Sequence, residues 1–110
     1  MTQTAMDIDT RPLPAGWKWV KLGDVVQIIS GRDIPPEHRN SSGTGMGYLS
    51  GPADFGIYQP EISKWATQPQ AVCKPMDILI TVKGAGVGKI NLAPDQEVGI
   101  GRDLMAVRNV

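Results

Sequence analysis

Lys83 and Lys89 flank a run in which Gly84, Gly86 and Gly88 alternate with Ala85 and Val87. Glycine lets backbone enter φ > 0 conformations that other residues enter only at a cost. Two cations beside such a turn suit an anionic partner. The plainer alternative is a β-turn that needs glycine, with both lysines solvated. The same chemistry recurs elsewhere as Arg32, His38 and Arg39 in one polar stretch, and as Arg102 after Gly99 and Gly101. Guanidinium and imidazole groups of this kind meet phosphates or base edges, or simply face water.

Nucleotide-cofactor motifs fail letter by letter. A P-loop places four residues between its first glycine and Gly-Lys, then Ser or Thr. Here only Ala85, Gly86 and Val87 separate Gly84 from Gly88-Lys89, and Ile90 follows. The dinucleotide fingerprint needs glycine where Lys89 stands, and a helix beyond it. Instead Lys89, Ile90, Asn91 and Leu92 alternate, which predicts a strand with Ile90 and Leu92 inward. Upstream, Ile78, Leu79, Ile80 and Val82 make a short β-branched run. Met76 to Leu92 therefore reads as strand, glycine turn, strand.

Catalytic chemistry finds no constellation. His38 is the only histidine, and none of Ser30, Ser41, Ser42, Ser50 and Ser63 sits in a Gly-x-Ser-x-Gly elbow. Asp24, Asp33, Asp54, Asp77, Asp95 and Asp103 lack metal spacing, and one His with one Cys cannot build a typical zinc site. The chain is read as non-catalytic.

Composition sets the frame. A chain of 110 residues with 41% hydrophobic residues can form one modest core. Eleven basic and eleven acidic residues cancel, so any contact with nucleic acid must rest on a local patch. Cys73 is alone, which fits a reducing cytoplasm. No apolar run approaches the roughly 20 residues of a membrane span.

The elements that would position these groups follow in order. Met1 to Pro12 reads as a disordered leader. Trp17 and Trp19 share one face of an extended segment and are expected as packing anchors. Leu22, Val25, Val26 and Ile29 carry helical spacing, which predicts a short amphipathic helix over Gly23 to Ile29, stopped by Gly31. Arg32 to Gly47 shows no period and reads as a long loop. Tyr48 to Ser50, Ile62 to Ala66, Val98 to Gly101 and Leu104 to Val107 read as short strands or turns. Thirteen glycines and nine prolines make turns dense. The expected fold is α/β of the α+β kind: short, largely antiparallel strands with one helix near the N-terminus.

Leu13-Pro14-Ala15-Gly16-Trp17-Lys18-Trp19-Val20-Lys21-Leu22-Gly23-Asp24-Val25, followed by Ile28 to Gly31, resembles the start of a target recognition domain in type I restriction–modification specificity subunits. Tyr48 to Gly51 is similar to that family's next strand. Asp77 to Gly84, continuing through Gly88-Lys89-Ile90, resembles its most recognisable motif, and Gly101 to Arg108 the segment after it.

The resemblance implies a non-catalytic reader of one half of a bipartite DNA site, over a domain from Leu13 to Val110 without the family's spacer helix. It implies double-stranded DNA, methyltransferase subunits and a restriction subunit as partners. S-adenosylmethionine, ATP and magnesium would belong to those partners, with no cofactor here. Lys83 and Lys89 become phosphate contacts, and Arg32, Arg39 and Arg102 candidates for base edges, with Ser50 weaker. Gly84, Gly86 and Gly88 would permit close backbone approach. Two alternatives stay open: a protein-interaction module using Trp17, Trp19 and Trp65, or a remnant without independent DNA binding.

Overall fold

The computed structural model describes residues 12–109. The expected leader therefore lies outside the described residues, apart from Pro12. Among the described residues, nine strands follow in order: β1 (Val26–Ser30), β2 (Arg39–Asn40), β3 (Met46–Leu49), β4 (Trp65–Ala66), β5 (Val72–Cys73), β6 (Ile78–Thr81), β7 (Ile90–Leu92), β8 (Val98–Ile100) and β9 (Leu104–Asn109). One sheet has the order β1-β9-β6-β7, the other β2-β4-β3-β8-β5. All pairings are antiparallel except β3 with β8. Strands dominate, as the turn density predicts.

The amphipathic helix is a correction. Leu22–Asp24 forms a single 3-10 turn, and the chain then runs extended as β1. Two helical turns cannot hold themselves. Val26, Ile28 and Ile29 are β-branched and pair instead along β9, from Val26 opposite Asn109 to Ser30 opposite Met105. Gly31 is no helix stop either. Its N–H donates to the Leu104 carbonyl at 2.9 Å, and a Cβ there would land on the Gly101 carbonyl oxygen. The tryptophan anchors are overturned as well: Trp17 is 70% exposed and Trp19 48%.

The predicted loop over Arg32 to Gly47 stays irregular over more than half its length but carries short elements before β3 begins at Met46. Pro36–His38 makes a 3-10 turn, and Arg39–Asn40 pairs with β4. The Asn40 side-chain oxygen accepts the N–H groups of Ser42 and Thr44 at 3.1 and 3.0 Å, replacing ladder bonds with a local turn. Ile34 is buried with Tyr48 and Ala66, pinning the segment from below.

Leu79, Leu104 and Ala106 of one sheet and Leu49, Cys73, Val98 and Ile100 of the other form one buried cluster. The sheets thus share their inner faces. Register explains the choice of faces: Ile29, Ala106, Leu79 and Asn91 lie in one cross-strand row. The expected orientation of β7 is consequently inverted, with Asn91 buried and Ile90 62% exposed. A buried amide must be paired. Asn91 accepts from the Gly56 N–H at 3.0 Å and donates to the Gly56 carbonyl at 3.1 Å.

Candidate nucleic-acid interface

Four segments meet at one end of the molecule: the β6–β7 turn, the β8–β9 turn, the residues after β1 and the turn after β3. Backbone bonds fasten them together. The Val82 N–H donates to the Asp103 carbonyl at 2.8 Å, Gly101 to Leu49 at 2.8 Å, and Arg32 to Ile100 at 3.0 Å. This places Arg32, Ser50, Lys83, Gly84, Gly86, Lys89 and Arg102 on neighbouring turns, although up to 70 residues separate them in the chain.

The glycine turn closes by Gly88 N–H to Thr81 carbonyl and Thr81 N–H to Lys89 carbonyl, both 2.9 Å. Gly84 and Gly88 have φ of 88° and 95°, so the glycine requirement is conformational at these two positions. Lys83, Gly84, Gly88 and Lys89 are exposed. Gly86 differs. It is buried, and a Cβ there would stand 2.6 Å from Pro52 Cγ. Its lack of a side chain seats the turn on the 3-10 turn Pro52–Asp54.

The arginines have different settings. Arg102 Nε lies 3.1 Å from Asp33 Oδ2, and the Arg102 N–H reaches Asp33 Oδ1 at 3.4 Å. That surface pair orients the guanidinium more than it stabilises the fold. Arg32 is exposed on the adjoining strand exit. Arg39 stands apart on β2, lining a shallow groove of about 310 Å³ with Pro36, Asn40, Ser41 and Lys64. Ser50 is occupied internally: its N–H and hydroxyl reach Asp54 Oδ2 at 2.9 and 3.3 Å, while Lys64 Nζ clamps Asp54 at 2.9 Å.

Beneath these turns lies Tyr48, buried at the start of the Tyr48 to Gly51 motif and not among the expected site residues. Gly99 leaves room for its ring, since a Cβ there would stand 3.1 Å from Tyr48 Cδ1. Burial, with the nearby Asp33, Asp103 and Asp54 carboxylates, holds the hydroxyl protonated above its ordinary range, against the opposing pull of Arg39. A tyrosine in an apolar strand carries no sequence mark of such surroundings. Cys73 is buried, and burial pushes its thiol up to about 11, which leaves it unreactive. Among the described residues no group of three metal-ligating side chains occurs, and no helix is long and apolar enough to cross a membrane.

No family model matches the chain. A Methanocaldococcus jannaschii protein named as the type I restriction enzyme MjaX specificity subunit is 35% identical over 99 residues, which is 88% of this chain and 23% of that protein. The HsdS subunit of Thermoanaerobacter tengcongensis superposes with a TM-score of 0.84 at 40% identity, over 93% of this chain and 26% of that one. This chain is homologous to a segment of the type I specificity subunits. A chain solved in work on complex assembly and conformational transition of the type I R-M system gives 0.85 at 41% identity, again over 93% and 26%. The chain thus spans about a quarter of the length of the relatives it matches.

Proposed function

We propose that this segment is a non-catalytic DNA-recognition domain that reads one half of a bipartite target for a type I restriction–modification complex. The observation that carries the reading is the convergence of Lys83, Lys89, Arg32 and Arg102 on adjoining turns in a fold shared with HsdS subunits. Lysines on a glycine turn fit phosphates, which set register. Arg32, Arg102 and, from the side, Arg39 fit base edges, where a guanidinium bonds guanine bidentately. Gly84 and Gly88 let backbone approach the duplex. Ser50 has a lesser part, since Asp54 already engages it.

Bond-making is left to partners in this reading. Methyltransferase subunits would bring S-adenosylmethionine, and a restriction subunit ATP and magnesium. The setting is the cytoplasm, consistent with a lone, buried thiol.

The test is a fluorescence titration of the chain against random-sequence duplex across a range of salt. Binding that weakens linearly in log–log form with salt is expected, because phosphate contacts release counterions. A folded chain with no salt-dependent binding would sink the reading and favour a module acting through protein contacts.

A further inference from the structure

We infer that Asp103 is a base-reading residue, accepting a hydrogen bond from the exocyclic amine of cytosine or adenine. This deepens the DNA reading above and rests on it. Asp103 sits in the β8–β9 turn, and its backbone carbonyl is held by the Val82 N–H at 2.8 Å. The next residue is tied in turn, with the Leu104 N–H donating to Gly101 at 3.0 Å. The side chain is short and half-buried, so its carboxylate has little freedom.

Two glycines flank that carboxylate. A Cβ on Gly51 would stand 3.6 Å from Asp103 Oδ2, and one on Gly84 3.9 Å. The acid therefore lies in a notch between the turn after β3 and the lysine-bearing turn, with no side chain from either glycine across it. No hydrogen bond or ion pair engages its carboxylate among the described residues. The neighbouring acids differ: Asp33 holds Arg102, and Asp54 holds Ser50 and Lys64. From below, the Tyr48 hydroxyl is buried and makes no hydrogen bond with it or any other described group.

A half-buried carboxylate that accepts no hydrogen bond within the protein keeps its lone pairs for an outside donor. Beside a polyanion it is also repelled by phosphates, so a contact with backbone is ruled out. Base edges remain. Cytosine N4 and adenine N6 are the major-groove donors, and a rigid carboxylate accepts from them while rejecting the oxygen atoms of guanine and thymine. Lysines on the flanking turn supply the opposite service, holding the strand so that the notch meets one base.

The experiment is repeated selection of duplexes from a randomised library at low salt, using the full chain and its D103N, D103A and K83A/K89A variants. Wild type is expected to enrich a sequence with one position restricted to cytosine or adenine. D103A should lose that preference about tenfold or more and keep the others. D103N should shift it toward adenine, because an amide both donates to and accepts from that base. K83A/K89A should weaken every sequence alike. Unchanged preferences in folded D103N and D103A would overturn the inference while leaving DNA recognition standing. Unfolding of both variants would also overturn it, by making Asp103 a structural residue. If wild type selects nothing and shows no salt-dependent binding, the parent reading fails and this one with it.

Discussion

Arg108 forks onto Asp77, with Nε 3.0 Å from Oδ1 and Nη2 2.8 Å from Oδ2. The pair ties the last strand of the described chain to the turn that launches β6. Asp77 is 1% exposed and also accepts the Lys74 N–H at 2.8 Å. Burial pushes its carboxyl upward, but the Arg108 fork, the Lys74 amide and the two nearby cations outweigh it and hold the acid below its ordinary range.

A depressed carboxylate binds its proton less readily folded than unfolded. Its contribution is therefore complete above the unfolded value of about 4 and is lost as pH falls through the lower folded one. D77N should cost about 3 kcal/mol at neutral pH, since it strands a partly buried guanidinium. It should also flatten the loss of stability of the chain below pH about 4. Urea unfolding of both proteins from neutral to acid pH checks this. Equal pH dependence would refute it.

Gly86 and Pro52 form a contact that a methyl group would break. G86A puts a Cβ 2.6 Å from Pro52 Cγ and 3.0 Å from Pro52 Cβ. The expected cost is about 1–3 kcal/mol, as for other overpacked sites. P52A removes the closer atom and should recover part of it. A double-mutant cycle on urea midpoints measures the coupling, and simple additivity would show that the contact is slack.

Asn91 brackets Gly56 with both of its amide atoms. N91A should cost about 1–2 kcal/mol by removing two hydrogen bonds. N91D should cost more, because a buried carboxylate oxygen then faces the Gly56 carbonyl. Thermal unfolding ranks them. An aspartate variant as stable as the alanine one would mean the side chain turns away from Gly56.

If Lys83 and Lys89 each neutralise one phosphate, K83A/K89A lowers the log–log salt slope of duplex binding by about 2. R102A should instead change which sequences are preferred. D33A should act in the same direction more weakly, since it releases the guanidinium from its 3.1 Å partner. Titrations at several salt concentrations separate the two effects. Equal slopes for wild type and the double lysine variant would remove those residues from the interface.

Much of the local structure was legible in the residues themselves. The hairpin of Ile78–Thr81 and Ile90–Leu92 could be read from β-branched runs around glycine, because such runs bury poorly as short helices. The glycine turn, the strand at Leu104–Asn109 and the cations beside the turns were visible for the same local reason. Rejection of the nucleotide motifs needed only spacing.

Pairing decided the rest. Val26 to Ile29 satisfies helical and extended patterns alike, and only the ladder offered by β9 selects the strand. Asn91 points inward because Gly56, 35 residues away, presents a matching donor and acceptor there. The seating of Gly86 on Pro52 and the unpartnered notch of Asp103 arise where separate turns meet. Sequence by itself determined that the segments around the glycine turn and after Arg102 extend, where the chain turns and which residue types lie near those turns, since propensity and glycine freedom act over a few neighbours. Tertiary structure alone decided which turns share one end and which polar groups are already spoken for, because those depend on contacts between residues far apart in the chain.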